Sequence, residues 1–193
     1  MRSSSLSFSL LVLLSALSGV LLSIPFLSPQ HYALAWVGFI PLLIAIESVG
    51  ILKSYFLGAI AGLAFSISTS YWMIDFLMLS KGYGIIVSTL FASIFWLYCA
   101  QLFALITLLF NTIKQHINVN EYLLFPLVVV SIFSLYPMIF TSHLGESQSQ
   151  FLIAIQATEF IGVYGLDGII SLANIVIFRF ILQYLTTPTS SSR

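Results

Sequence analysis

Between Arg2 and Glu47 the chain carries no Asp, Glu, Lys or Arg. A helix crossing a bilayer needs about 20 mostly apolar residues, so this one interval is long enough for two crossings. Pro25 and Pro29 interrupt it where a tight reversal is required. The rest of the sequence follows suit: 6% of its residues are charged and 60% hydrophobic, against roughly 25% charged in a soluble domain. A water-soluble fold cannot hide that much apolar surface. A transmembrane β-barrel is excluded as well, because it needs alternating polar and apolar residues and these runs are continuous.

The chain therefore reads as an all-α membrane protein, a polytopic bundle of about six transmembrane helices. Residues 1–185 form one transmembrane helical domain, and the Ser/Thr-rich residues 186–193 a disordered tail. The expected helices lie near residues 6–24, 32–46, 55–79, within the interval from Lys81 to Lys114, near 123–140, and from Gly162 to Leu185. The second is short and is expected to tilt or to be partly re-entrant. The first resembles a secretory signal peptide but is read as an uncleaved signal-anchor. With the N-terminus inside, Arg2, Lys53, Lys114, Arg179 and Arg193 fall on the cytoplasmic side and only Lys81 outside, so both termini are expected in the cytoplasm.

A formal net charge of zero leaves no basic footprint for nucleic acid. The single cysteine, Cys99, can form no intrachain disulfide and offers no thiol pair for a metal. No metal-ligand spacing and no phosphate-binding Gly-rich loop occurs, so neither metal nor cofactor is expected. His31, His116 and His143 fall in different connections, and no nucleophile and base stand together.

Four positions on the third helix, Gly58, Gly62, Ser66 and Ser70, recur every fourth residue. They make a stripe suited to close helix packing. Tyr71 and Trp72 follow at the expected outer interface, where amphipathic rings settle. Asp75 is the only acidic group in this run and needs a partner or water. Either Lys81 pairs with it or it faces a ligand. Asp167 and Arg179, twelve residues apart or about 18 Å along a helix, are expected to snorkel to opposite interfaces. Most of the remaining polar groups lie in the outer connection from Thr141 to Ile161. There Glu146, Ser147, Gln148 and Gln156 are the candidates to line a cavity at the outer leaflet, with a merely solvated loop as the alternative.

Four stretches in this order and spacing resemble the N-terminal membrane domain of bacterial apolipoprotein N-acyltransferases. The first is Ile24-Pro25-Phe26 with Leu34 through Leu43, similar to that family's proline-broken first hairpin. The second runs from Phe56-Leu57-Gly58 to Tyr71-Trp72-Met73 and Gly82-Tyr83-Gly84. The third, Leu144-Gly145-Glu146-Ser147-Gln148, is similar to the family's Leu-Gly-Tyr-Ser-Gln, with Glu146 in place of the tyrosine. The fourth is Gln156-Ala157 and Gly162-Val163-Tyr164-Gly165-Leu166. The resemblance spans residues 20–182. It departs at the fifth helix, which lacks the acidic and basic pair of the family and matches its aromatic-proline context only loosely at Tyr136-Pro137.

The resemblance implies a bacterial inner-membrane protein associated with lipoprotein N-acylation, the transfer of an acyl chain from a phospholipid to a lipoprotein's amino-terminal cysteine. It implies that Trp72, Asp75, Glu146, Ser147, Gln148, Gln156 and Tyr164 bind substrate. The family's Glu-Lys-Cys catalytic set lies in a nitrilase-like domain beyond another helix, after the position of residue 185, whereas this chain ends at Arg193. No catalytic residue is assigned here, since Cys99 sits in mid-membrane with no base beside it in sequence. The expectation is a truncated or split family member, inactive alone, whose partners are membrane phospholipid and either a separately encoded nitrilase-like chain or the lipoprotein. The rival is a small transporter or channel with Asp75 and the outer-loop carboxylates along its path. That class is expected to show paired broken helices, which this sequence lacks.

Overall fold

The computed structural model describes residues 6–140 and 142–186. Seven helices occur among them: α1 (Phe8–Leu27), α2 (Ile40–Ile46), α3 (Ile51–Ser70), α4 (Met73–Lys81), α5 (Ile85–His116), α6 (Glu121–Leu135) and α7 (Leu152–Thr186). Two 3-10 segments join them, Pro29–Trp36 before α2 and Leu144–Gln148 before α7. The chain is an all-α polytopic membrane bundle. Five segments are long and apolar enough to cross a membrane: α1, Pro29–Ile46, α3, α5 and α7. The expected sixth crossing, α6, has 15 residues. At 1.5 Å per residue it reaches about 22 Å, short of the ~30 Å of hydrocarbon. From residue 187 onward the expected disordered tail lies outside the described residues, as do Arg2 and Arg193.

The expected helix over residues 55–79 is two helices. Near the end of α3 the hydroxyls of Ser68 and Thr69 bond back to the carbonyls of Ala64 and Phe65, while the indole N–H of Trp96 donates to the Ser70 carbonyl. Side chains thus compete with and satisfy the last backbone acceptors. The chain turns at Tyr71-Trp72 and restarts as α4, so Asp75 stands in the first turn of a new helix, where an acidic group complements the helix dipole. Both Asp75 and Lys81 are exposed, and the ion pairs among the described residues do not include them. Likewise the expected last helix starts ten residues early, at Leu152, and bends at Gly162, whose φ of 67° is open to a glycine.

The most extensive packing joins α3 to α5, and α1 to α3 comes next. The small-residue stripe explains the first contact. A methyl on Gly62 would come within 2.5 Å of the Ala100 carbonyl oxygen, and one on Gly58 within 2.7 Å of that of Phe103. Only hydrogen at these positions lets the two backbones meet. At the bundle centre, fully buried Phe39 packs its ring on Phe103 and Phe125.

Phe39 also lies at the break between the 3-10 segment and α2, where helix hydrogen bonding lapses. Buried Asn174 of α7 repairs it: its Oδ1 accepts from the Phe39 N–H at 2.8 Å, and its Nδ2 donates to the Ala35 carbonyl at 2.9 Å. In lipid, backbone groups freed by a helix break must find a partner within the protein. The sequence pattern gave no sign of this role for Asn174.

Candidate functional site

Polar side chains gather at two opposite ends of the bundle. One end is built from the C-terminus of α2, the C-terminus of α5, the N-terminus of α6 and the C-terminal part of α7. Arg179 donates to Glu47 at 2.7 Å and also bonds Glu121. Lys114 meets Glu47 at 2.7 Å and Glu121 at 3.6 Å. Two cations and two anions from four helices therefore close a neutral quartet. Arg179 does not snorkel free: it is fixed in this ion network.

The other end is organised by the 3-10 turn Leu144–Gln148. Asp167 is 0% exposed and His143 7% exposed. Their side chains hydrogen-bond, Nδ1 to Oδ2, at 2.8 Å, and the second carboxylate oxygen accepts the Gly145 N–H at 2.8 Å. Snorkelling is thus overturned for Asp167. A buried carboxylate is tolerable where hydrogen bonds satisfy it, and here the turn supplies them. The edge of one ring meets the face of the other between His143 and Tyr164, whose centroids are 4.7 Å apart.

Gln148 is buried and fully engaged. Its Oε1 accepts from the Trp36 indole at 2.8 Å, and its Nε2 donates to the Tyr32 carbonyl and to Ser147 Oγ. Ser147 Oγ in turn donates to the Leu144 carbonyl. Phe151, just after the turn, stacks on Tyr32 and meets the edge of Trp36. The turn is thereby plugged into the 3-10 segment Pro29–Trp36 on one side and into α7 on the other.

Ser147 and Gln148 therefore face inward, whereas Glu146 and Gln156 are exposed and Tyr164 is partly so, with its ring against His143. Trp72, at the N-cap of α4, and Asp75, in its first turn, are both exposed, and no hydrogen bond, ion pair or ring contact joins either to the turn among the described residues. The ring of Trp72 meets Phe76 and Phe140, and Phe140 meets Phe95 of α5. Close by, Tyr136 donates to the Tyr98 carbonyl at 2.7 Å while the Tyr98 hydroxyl bonds the Pro137 carbonyl.

As chemistry, the turn end is a positioning device. Ser147 is 1% exposed with its oxygen used twice. The imidazole nitrogen nearest a carboxylate is held by it. Among the described residues no group of three or more His, Cys, Asp or Glu converges to hold a metal. Sequence reasoning missed Trp36, His143, Asp167 and Asn174 as members of these networks. For Trp36, Asp167 and Asn174 the signal was a lone polar or amphipathic residue in an apolar run, which marks cost but not partner, while His143 was one polar residue among many in its connection.

Residues 18–176 match the family described as the apolipoprotein N-acyltransferase N-terminal domain. The chain belongs to that family. It is also similar to the apolipoprotein N-acyltransferase of Geobacter metallireducens, with 34% identity over 173 residues, which is 88% of this chain and 33% of the relative. The chain thus spans a third of the length of the curated relative it matches. No solved structure matches it. In this member of the apolipoprotein N-acyltransferase N-terminal domain family, the matched stretch holds the whole turn-end network from Tyr32 to Asp167. It stops before Arg179.

Proposed function

We propose that the chain forms the membrane part of an apolipoprotein N-acyltransferase and presents phospholipid and lipoprotein to a catalytic centre carried by sequence outside the described bundle. The family match over residues 18–176 carries this reading. The turn end is the proposed substrate face: the Asp167 and Gln148 networks hold the turn, leaving Glu146, Gln156 and Tyr164 exposed, and the exposed Trp72 and Asp75 complete the proposed set of substrate contacts. An acyl acceptor and a lipid chain have matching polar and apolar needs. No activated nucleophile lies in the turn, and Cys99 is buried within α5, so acyl transfer by these residues alone is not expected.

In this reading the protein sits in the bacterial inner membrane with the turn end outside. Lys53, Lys114 and Arg179 gather at the quartet end and Lys81 at the other, which the bias of basic residues toward cytoplasmic loops favours. Both termini are then cytoplasmic. The transporter reading lacks support of this kind. Buried polar groups between the ends, such as Ser15, Ser18, Ser171 and Asn174, bond backbone carbonyls and so serve packing.

The decisive experiment is complementation of a bacterial strain depleted of its full-length enzyme. Growth is expected with this chain plus a nitrilase-like domain, fused or co-expressed, and not with the chain alone. Rescue by the chain alone overturns the scaffold role. Failure of both arms, with the chain present in the membrane fraction, overturns the proposal as a whole.

A further inference from the structure

The quartet end carries a feature that the proposed substrate face does not use. Between α1, α2 and α7 runs a cleft of about 250 Å³ whose walls include Leu11, Ile44, Ala45, Phe178 and Ile181, with Glu47 at its polar edge. It shares Leu6, Leu11, Ser48 and Val49 with a wider opening of about 710 Å³ that extends to Lys53. The two make one path from an apolar slot to a cation.

Water is a poor occupant of the slot, since it needs two to four polar partners and the walls are aliphatic and aromatic. The charges beside it are already spent. Both Glu47 oxygens are taken by Arg179 and Lys114, so Glu47 is not available to an amine. Lys53, by contrast, is exposed and outside the ion pairs among the described residues. Its helix, α3, begins after Gly50, which has no side chain to cap the first backbone N–H groups. Beside the slot the surface therefore asks for negative charge.

We propose that this cleft is a lipid site, holding one acyl chain of an anionic phospholipid whose phosphate rests at Lys53. The occupant is fixed by the pairing of an apolar slot with an exposed cation, Lys53, lining the wider opening that adjoins it. Basic groups near a membrane surface attract anionic lipid in this way. The site lies at the end of the bundle opposite the turn and does not depend on the acyltransferase reading. Its role is to seat the N-terminal helix against α7 through a bound lipid.

The test uses the full chain in phosphatidylcholine bilayers doped with phosphatidylglycerol bearing a diazirine on one acyl chain. After irradiation, adducts are mapped by mass spectrometry. They are expected to concentrate on Leu11, Ile44, Phe178 and Ile181 over lipid-facing Leu90 and Ile94 of α5. Lys53→Gln, at an exposed position, is expected to lower cleft labelling about fivefold while leaving the α5 adducts and the helical circular dichroism unchanged. Ile44→Trp, which fills the slot, is expected to lower it further. Equal labelling of cleft and α5, or cleft labelling indifferent to Lys53→Gln, overturns the proposal. So does cleft labelling that rises when residues 2–5 are deleted, because the chain's own N-terminus is then the occupant.

Discussion

Asp167 and His143 stand 24 residues apart in sequence and 2.8 Å apart in space. One lies on α7 and the other immediately before the turn Leu144–Gln148. With the Gly145 N–H on its second oxygen, the Asp167 carboxylate holds both the entry to the turn and its first residues. The outward placement of Glu146 follows from what is pinned on either side of it.

Removing the Asp167 carboxyl strands the His143 Nδ1 and the Gly145 N–H, which bond it at 2.8 Å each, and a buried group left unsatisfied costs about 1–3 kcal/mol, so Asp167→Ala is expected to lower the thermal unfolding temperature in detergent and to open the turn to proteolysis. Asp167→Asn keeps an acceptor for Gly145 and should lose less. Circular dichroism melts and limited proteolysis of the three proteins check this. An Asp167→Ala protein that melts with the native one and resists cleavage would show that the pair does not hold the turn.

The α3 and α5 contact gives a second expectation. Gly62→Leu drives a side chain into the Ala100 backbone, and overpacking a close contact costs about 1–3 kcal/mol or more. Gly84→Ala is the matched control, because a methyl there meets nothing within 4 Å. Folded yield and melting temperature should fall for the first and hold for the second. Equal behaviour would mean that the stripe is not a packing surface.

The same stripe shows what a sequence can reveal. A period of four small residues fixes which face approaches a neighbour, and the structure puts α5 there. The uncharged run from Arg2 to Glu47 likewise defined a hairpin, because apolar length is a local property. Partners are not local. Glu47, Lys114, Glu121 and Arg179 come from four helices, and the periodicity of any one of them says nothing of the others. On a helix beginning at Gly162, Asp167 is near an end and reads as a snorkelling charge. Once the helix extends back to Leu152 and the turn folds over it, the carboxylate is enclosed. The short α6 was overestimated for a related reason: its apolar run continues past Leu135 although the helix does not.

The quartet offers a test of coupling. Arg179→Gln leaves Glu47 and Glu121 facing each other with only Lys114 between them, so it is expected to destabilise more than Lys114→Gln. Combining Arg179→Gln with Glu121→Gln should recover part of the loss. Contacting charges in one network show interaction energies of about 0.5–3 kcal/mol. A double-mutant cycle on unfolding free energy measures this, and strict additivity would mean that the four residues are neighbours without a shared network.

Exposed residues at the turn end separate substrate contact from structure. Substitutions at exposed positions usually change stability by no more than about 0.5 kcal/mol, so Glu146→Gln and Gln156→Ala are expected to leave the melting temperature in place. In a chain fused to a nitrilase-like domain, the same changes are expected to lower acyl transfer to a diacylated lipopeptide about tenfold each, or ~1.4 kcal/mol. Gln148→Leu should behave in the opposite order. It strands the Trp36 indole and removes the donor to the Tyr32 carbonyl, costs about 1–3 kcal/mol of stability, and lowers transfer only as the fold loosens. Kinetics that follow stability at all three positions would remove the turn from the substrate face and leave it a structural plug.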